Sequence, residues 1–261
     1  MEKKLLKYLM YMPIGYTLLT RVIDVSRRKI SFYYLTDFLL IIPVILFYDF
    51  RAFAFISLVI SIAIAYFYYE VFYIVNDLWT TKYEDIPTLR GPGISIKLTW
   101  ALLIRLAMFT VVLTAIILTS SLSLYELLLL TMILVYLAMI AFIHNMIRDK
   151  LKRNPTHALM RLMRWLLITL LFSIVQNIKS LDIMKDVALA LIPHVVSVEL
   201  GYLLYNLKRM GARIPEIKVR LSLSYGIYIP LLVILLHNPL QVGGYLFLVM
   251  ASIIKMLREG S

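Results

Sequence analysis

Apolar residues in this chain form long blocks separated by short polar stretches. Eight blocks have the length of about 20 mostly apolar residues that a bilayer-spanning helix needs. They lie at residues 33–50, 53–76, 96–119, 122–146, 157–178, 185–206, 219–237 and 239–257. The pattern therefore predicts an all-α protein, a polytopic membrane helical bundle with eight transmembrane helices.

A ninth apolar stretch, residues 5–23, differs from the other eight because Pro13 and Gly15 interrupt it and a basic run follows it. We therefore predict that residues 1–32 form a basic N-terminal segment that lies in the membrane interface or re-enters it. Residues 33–261 form a single transmembrane helical domain in this interpretation. If residues 5–23 do cross the membrane, the bundle has nine spans.

The composition agrees with this assignment. The chain is 62% hydrophobic and 16% charged, whereas soluble domains are about 45–50% apolar and about 25% charged. It has no cysteine, which excludes disulfides and thiolate metal sites. The net charge is +12, but no nucleic-acid-binding motif accompanies it, so we predict no nucleic-acid partner.

Positive charge is distributed unevenly along the chain. Of the 27 Lys and Arg residues, 23 lie in the N-terminal 32 residues, in three loops and in the C-terminal tail. The three loops are near residues 77–97, 147–164 and 207–220. Because Lys and Arg collect in cytoplasmic loops, we predict an integral membrane protein with both termini and these loops cytoplasmic. Eight spans, an even number, satisfy that topology.

The most informative polar pattern begins inside the second predicted span. In a helix, Glu70, Tyr73, Asp77, Thr80 and Glu84 recur at three- and four-residue steps and share one face. A carboxylate within an apolar span is costly, and is by default a functional-site hypothesis. We therefore predict a functional site on this face. The alternative is a capped polar loop whose charges are simply solvated.

The loop after this span contains the groups of a metal and phosphate site. Mg²⁺ prefers oxygen ligands and often bridges to substrate phosphates, which makes Asp77 and Glu84 candidate ligands beside Asn76. Lys82 and Arg90 are candidate phosphate contacts, because charge-assisted hydrogen bonds to phosphate are strong. The loop therefore predicts a Mg²⁺-dependent phosphate site.

A second polar face lies in the sixth predicted span, where Glu199, Tyr202 and Asn206 fall at i, i+3 and i+7. We expect Glu199 to line a polar cavity and to face Arg105 of the third span. The alternative is a structural ion pair that joins two helices.

Basic residues near the other cytoplasmic loops give further candidates. Asn145 and Arg148 lie at the mouth of the fourth span, and Lys208 lies in a basic loop after the sixth. Arg161 and Arg164, three residues apart in the fifth span, are expected to point the same way. For Lys150, Lys152 and Arg153 we favour contact with anionic lipid headgroups. A basic cytoplasmic loop without a site is the alternative interpretation of Lys208 and its neighbours.

At these residues the chain resembles the UbiA-type intramembrane prenyltransferase superfamily. That family is a bundle of eight or nine helices with two Asp-rich motifs, on the cytoplasmic loops after the second and sixth helices. The first motif runs Asn-Asp, with acidic residues three and seven positions after the Asp. Here Asn76-Asp77 is followed by Thr80 and Glu84 at those positions. Residues 202–215, where the second motif belongs, contain no acidic residue.

The resemblance implies an enzyme that acts on a polyisoprenoid phosphate or diphosphate at the cytoplasmic face, with membrane lipid around it. Metal and cations would stabilise the leaving diphosphate while an allylic carbocation alkylates an acceptor. The implied roles are Mg²⁺ binding by Asp77 and Glu84, phosphate contact by Lys82, Arg90 and Arg148, and acceptor orientation by Glu70 or Glu199. The other candidate substrate-binding residues are Tyr73, Asn76, Thr80, Asn145, Tyr202, Asn206 and Lys208.

The missing second acidic motif leaves other functions open. One is a transferase in which polyprenyl phosphate accepts an activated sugar phosphate. Another is a non-catalytic lipid-binding or assembly protein of the same fold, which would tolerate loss of Asp77 and Glu84. A transporter, with Glu70, Arg105 and Glu199 along its ion path, is the remaining alternative.

Overall fold

The computed structural model describes residues 3–12, 14–24, 29–30, 52–79, 96–149 and 152–178, with 181–185, 187–188, 195, 203–204, 207–208 and 211–213. Its first elements are helix α1 (Lys3–Tyr11), the single turn α2 (Gly15–Thr17) and a π-helical turn (Leu18–Val22). The two-residue strands β1 (Ile23–Asp24) and β2 (Lys29–Ile30) then pair antiparallel. The longer helices are α3 (Ala52–Leu78), α4 (Leu98–Thr119), α5 (Leu124–Met146) and α6 (Asn154–Gln176).

Helices α3 to α6 are each long and apolar enough to cross a membrane. They confirm the second to fifth predicted spans, and apart from the short β1–β2 ladder every element described is helical. The predicted spans at 33–50, 219–237 and 239–257 lie outside the described residues, and the one at 185–206 is described only in fragments. The total of eight spans therefore remains a prediction.

Two of the four long helices are central and two are peripheral. Helix α3 packs against α4 and α6, and α6 also packs against α5, while α4 and α5 make little contact with each other. Helix α6 is the most buried, with Trp165 and Phe172 fully enclosed. Helices α4 and α5 expose Val111, Leu118 and Phe142. Such an apolar exterior is suited to contact with lipid.

Capping residues fix the ends of the helices. The Ser123 side chain accepts the Glu126 N–H, while the Glu126 carboxylate accepts the Ser123 N–H, which forms a capping box at the start of α5. Asn177 ends α6 with φ 54°. The ends of α3 and α5 meet the start of α6 around one cavity, and the end of α4 meets the start of α5 and the end of α6 around another. The long helices therefore alternate in direction, and α3 and α5 end where α4 and α6 begin. We call this side of the bundle the Asp77 end.

The N-terminal segment is broken near its middle. Neither α1, which is about 13.5 Å long at 1.5 Å per residue, nor the turns from Gly15 to Val22 match the length of a bilayer. Ile14, between the two pieces, has φ 64°. The sequence supplies a cause, since Pro13 lacks the N–H of a continuous helix. The choice between an interfacial and a re-entrant segment remains a prediction.

Gly15 is required where the chain turns back on α1. A Cβ atom added there would lie 1.9 Å from the Leu9 carbonyl oxygen, which is backbone and not a flexible side chain. Any other residue would therefore push α2 away from α1. Since Tyr16 and Thr17 follow directly, this glycine fixes their position against the bundle.

We expect Gly15→Ala to lower the free energy of unfolding by at least about 1–3 kcal/mol, the usual cost of overpacking. Thermal unfolding of the detergent-purified protein would measure it. Gly211→Ala is the comparator, because Gly211 has φ 95° but an added Cβ would meet no described atom within 4 Å. If Gly15→Ala lowers the free energy of unfolding no more than Gly211→Ala does, the close approach of Gly15 to the Leu9 carbonyl is contradicted.

Candidate functional site

The predicted polar face of the second span is present and meets the N-terminal segment. Helix α3 is continuous through Glu70, Tyr73 and Asp77, as the spacing predicted. The Thr17 N–H donates to Glu70 Oε1 at 2.7 Å. The Tyr16 hydroxyl donates to Asp77 Oδ2 at 3.0 Å. Both carboxylates on this face therefore bind α2.

Glu70 also forms a fully buried ion pair with Arg105 of α4. Arg105 Nε donates to Glu70 Oε2 at 2.9 Å, and neither side chain is exposed. The remaining guanidinium nitrogens donate to backbone carbonyls. Nη1 contacts Ala101 O at 3.2 Å, and Nη2 contacts Met10 O at 2.8 Å and Met12 O at 3.3 Å.

This pair satisfies both sides of the break in the N-terminal segment. A helix leaves its last carbonyls and first N–H groups without partners inside the helix. Here Arg105 binds two carbonyls at the end of α1, and Glu70 binds the Thr17 N–H. In hydrocarbon each unsatisfied group costs several kcal/mol. The ion pair therefore makes a broken segment possible in an apolar setting.

The contacts of Glu70 and Arg105 bear on two of the predictions for these residues. We expected Arg105 to face Glu199, but the structure pairs it with Glu70, and Glu199 lies outside the described residues. Both Glu70 oxygens are occupied by Thr17 and Arg105. The geometry therefore supports a structural role for Glu70, and its part in orienting an acceptor remains a prediction.

Asp77 lies in the last turn of α3, next to Asn76, whose amide oxygen is a second candidate metal ligand. Asn76 Nδ2 donates to Asp77 Oδ1 at 3.2 Å. Asn76 Oδ1 is buried and has no hydrogen-bond partner among the described residues. A carboxylate and an amide oxygen are donors that suit Mg²⁺. They are an incomplete set, because no three His, Cys, Asp or Glu side chains group together in the described ranges.

Half of the predicted site cannot be placed beside Asp77. Glu84, the second predicted Mg²⁺ ligand, lies outside the described residues. The same is true of the other predicted contacts Thr80, Lys82, Arg90, Tyr202 and Asn206. The roles assigned to these residues remain predictions.

Tyr73 belongs to a buried aromatic cluster around a cation. Its ring packs edge-on against Tyr69 with centroids 4.7 Å apart. The Arg164 guanidinium of α6 lies 4.8 Å from the Tyr69 ring centroid and 5.3 Å from that of Tyr66. Arg164 and Arg161 are both buried. Cation–π contact contributes about 2 kcal/mol or more when desolvated, so this cluster joins α3 to α6.

Burial of these arginines was not predicted, since headgroup contact was the alternative weighed for basic residues near this loop. The signal was their position seven and ten residues inside α6, within an apolar stretch. Tyr73, expected to contact substrate, is almost fully buried within the cluster.

A cleft opens at the Asp77 end between α3, α5 and the start of α6. Its volume is about 360 Å³. It is lined by Val75, Trp79, Phe142, Asn145, Met146, Arg148 and Arg153. The structure thus brings together two of the predicted substrate-binding residues, Asn145 and Arg148. Arg153 is a third polar group that the sequence analysis did not assign to the site.

Hydrogen bonds hold the turn beside this cleft. The Thr156 hydroxyl donates to Arg153 O at 2.7 Å, and Arg153 Nε donates to Ile147 O. Thr156 Oγ1 also lies 2.8 Å from His144 Nδ1. Because the hydroxyl proton is already used, we assign the proton of this second bond to His144 Nδ1. The network joins the end of α5 to the start of α6.

The predicted single site is divided by α3. Val75 and Trp79 face the cleft, whereas Asp77 faces Tyr16. Two residues along a helix correspond to a rotation of about 200°. Asp77 and Arg148 therefore lie on opposite sides of α3, and sequence spacing alone did not separate them.

Lys208 lies at a helix end. It is helical and exposed. The Gly211 N–H donates to Lys208 O at 3.1 Å and the Ala212 N–H to Leu207 O at 3.0 Å, with Gly211 at φ 95°. These are the bonds of a Schellman motif. The glycine therefore ends a helix, and the partial negative charge of a helix C terminus does not favour phosphate there.

No protein-family model, curated protein or solved structure matches this chain. The structure itself supports a helical membrane protein whose described part has four spans. Membership of the UbiA-type superfamily remains a prediction, carried by Asn76-Asp77 and Glu84.

We expect Arg105→Met to lower the free energy of unfolding by about 3–5 kcal/mol, because it leaves the Glu70 carboxylate buried without its cation. Adding Glu70→Gln removes that charge and should restore part of the loss. A double-mutant cycle, followed by thermal unfolding in detergent, would give the coupling.

The control is the exposed pair Asp149–Lys152, whose Oδ2 and Nζ lie 4.0 Å apart. Such surface pairs contribute little, so Asp149→Asn and Lys152→Gln should leave the unfolding temperature nearly unchanged. Additive effects of the Glu70 and Arg105 changes would contradict a stabilising contact between them.

Proposed function

We propose that this protein is a prenyltransferase-like membrane enzyme that binds a polyisoprenoid phosphate or diphosphate at the Asp77 end of its bundle. The observation that carries the proposal is the cleft, which combines an apolar wall with Asn145, Arg148 and Arg153. Its volume of about 360 Å³ falls within the roughly 300–1,000 Å³ typical of small-molecule sites.

The lining fits an amphipathic anion. Trp79, Phe142 and Met146 are each more than half exposed, so an isoprenoid tail can lie against them and continue into lipid. Arg148 is exposed at the mouth of the cleft, where it can reach a phosphate. The planar guanidinium binds phosphate through two parallel hydrogen bonds, which a lysine cannot do. The Asn145 amide adds a neutral donor.

The Mg²⁺ part of the proposal depends on the last turn of α3. Asp77 and the Asn76 amide oxygen, which has no hydrogen-bond partner in the part of the chain that the structure describes, would hold the ion together with Glu84. A Mg²⁺ ion bound there would lie on the opposite side of α3 from Arg148, so it would neutralise charge only on a phosphate that extends from the cleft past the end of this helix. Tyr16 orients Asp77 by donating to one of its carboxylate oxygens.

A non-catalytic lipid-binding or assembly protein is the second candidate. The observation that favours it is the contact of Glu70 and Asp77 with the N-terminal segment, which gives both carboxylates a structural use. The cleft would then hold a lipid without reaction. Dependence of binding on Mg²⁺ separates the two candidates.

We expect long-chain prenyl phosphate or diphosphate to raise the unfolding temperature of the purified protein, because a ligand specific for the folded state stabilises it. Arg148→Gln should weaken binding about tenfold or more, from loss of a charge-assisted hydrogen bond. Lys152→Gln, which removes a nearby charge that does not line the cleft, is the matched control.

The role of the metal is tested by repeating the titration with Mg²⁺ and with Asp77→Asn. A shift that requires Mg²⁺ and is lost in Asp77→Asn supports the enzyme. A rise in unfolding temperature that requires neither Mg²⁺ nor the Asp77 carboxylate favours the lipid-binding candidate. If no prenyl ligand changes the unfolding temperature, the proposed ligand class is wrong.

A further inference from the structure

Helix α1 has an apolar stripe that no described element covers. Leu5, Tyr8 and Leu9 fall at i, i+3 and i+4, so they lie on one side of the helix, and Met12 follows directly after its last residue. All four are exposed, Tyr8 and Met12 by more than half. On a membrane protein, an exposed apolar stripe of this kind is expected to contact lipid or another protein.

A different side of α1 attaches the helix to the bundle. Leu6 and Met10, one turn apart, are almost fully buried in the core. This buried row is about 130° from the exposed stripe on a helical projection. The exposed stripe is therefore not a partly covered edge of the packed face, but a second apolar surface.

Basic side chains occupy the remaining side of the helix. Lys4 and Lys7, three residues apart, are both exposed. Helical rotation places them between the buried row and the exposed stripe. An outer apolar face bordered by lysines is typical of helices that lie in the interface of a bilayer.

Contacts place the end of α1 at the Asp77 end of the bundle. The Lys97 N–H, directly before α4, donates to the Tyr11 hydroxyl at 3.0 Å. Arg105, which binds the carbonyls of Met10 and Met12, lies eight residues after Lys97, about 12 Å along α4. Helix α1 therefore joins the bundle near the membrane boundary.

The neighbouring surface of α4 indicates what contacts the exposed stripe of α1. Trp100 and Leu103, in the first two turns of α4, are more than half exposed. Tryptophan at the end of a span is characteristic of the level of the lipid headgroups. The exposed stripe of α1 thus lies at the same end as a lipid-facing surface, which favours lipid over a second protein.

We infer that α1 is an interfacial anchor for an anionic leaflet. Leu5, Tyr8, Leu9 and Met12 insert between acyl chains, while Lys4 and Lys7 contact anionic headgroups. The inference does not depend on the proposed enzymatic function. It does depend on the docking of α1, which the Glu70–Arg105 pair maintains.

The absence of cysteine from the chain makes a direct test practical. Full-length Leu9→Cys and Lys7→Cys proteins would carry a nitroxide spin label in bilayers of phosphatidylcholine with anionic phosphatidylglycerol. Collision rates with oxygen, which concentrates in hydrocarbon, and with a water-soluble nickel chelate would report depth. Val111→Cys, in the middle of α4 and exposed, is the hydrocarbon reference.

We expect the label at position 9 to collide more with oxygen than with nickel, and the label at position 7 to show the reverse. Equal nickel access at both positions would overturn the inference, because the stripe would then face water. Shielding of position 9 from both reagents would also overturn it, because protein, such as a second copy, would cover the stripe. The unfolding temperature of each variant checks that α1 remains docked.

The headgroup contact is tested with Lys4→Gln and Lys7→Gln in the Leu9→Cys protein. Each lysine near an anionic surface should strengthen association about fivefold. Raising the phosphatidylglycerol content should therefore deepen the label at position 9 only when both lysines are present. A depth independent of anionic lipid would overturn the assignment of headgroups as partners of the lysines.

Discussion

The Glu70–Arg105 ion pair is the interaction on which the described structure depends. Removal of two charges from water costs several kcal/mol for each ion, and mutual attraction offsets this only when further hydrogen bonds complete the site. Here those bonds come from the backbone of a broken segment, at Met10, Met12 and Thr17. The two charged side chains supply hydrogen-bond partners for the backbone of the segment, and that backbone completes the hydrogen bonds of the charged side chains. Neither would be stable in an apolar setting alone.

Helix α3 connects this buried pair to the Asp77 end of the protein. On one face it carries Glu70 and Asp77, both bound to the N-terminal segment. On the opposite face Val75 and Trp79 form a wall of the cleft. A change in how the N-terminal segment docks would therefore alter the hydrogen bond between Tyr16 and Asp77. The cleft would be less affected, because the contacts between the end of α5 and the start of α6 hold it separately.

The second buried cation, Arg164, joins α3 to its other long neighbour, α6. Arg164 lies among the rings of Tyr66 and Tyr69, between α3 and α6. Hydrophobic association contributes little between helices in lipid, so packing and polar contacts must hold them together. The aromatic cluster between α3 and α6 and the ion pair between α3 and α4 supply such contacts. They explain why α3 lies in the middle of the described helices.

The sequence by itself determined the second to fifth spans, the helical face of Glu70 and Asp77, and the break near Gly15, because length, periodicity and breaking residues are local properties. Only the tertiary structure decided that Arg105 meets Glu70, that Arg164 is buried, and that α3 separates Asp77 from Arg148. These facts depend on which helices pack together and on how each is rotated. Many packings satisfy the same apolar pattern, so partners far apart in the sequence cannot be read from spacing.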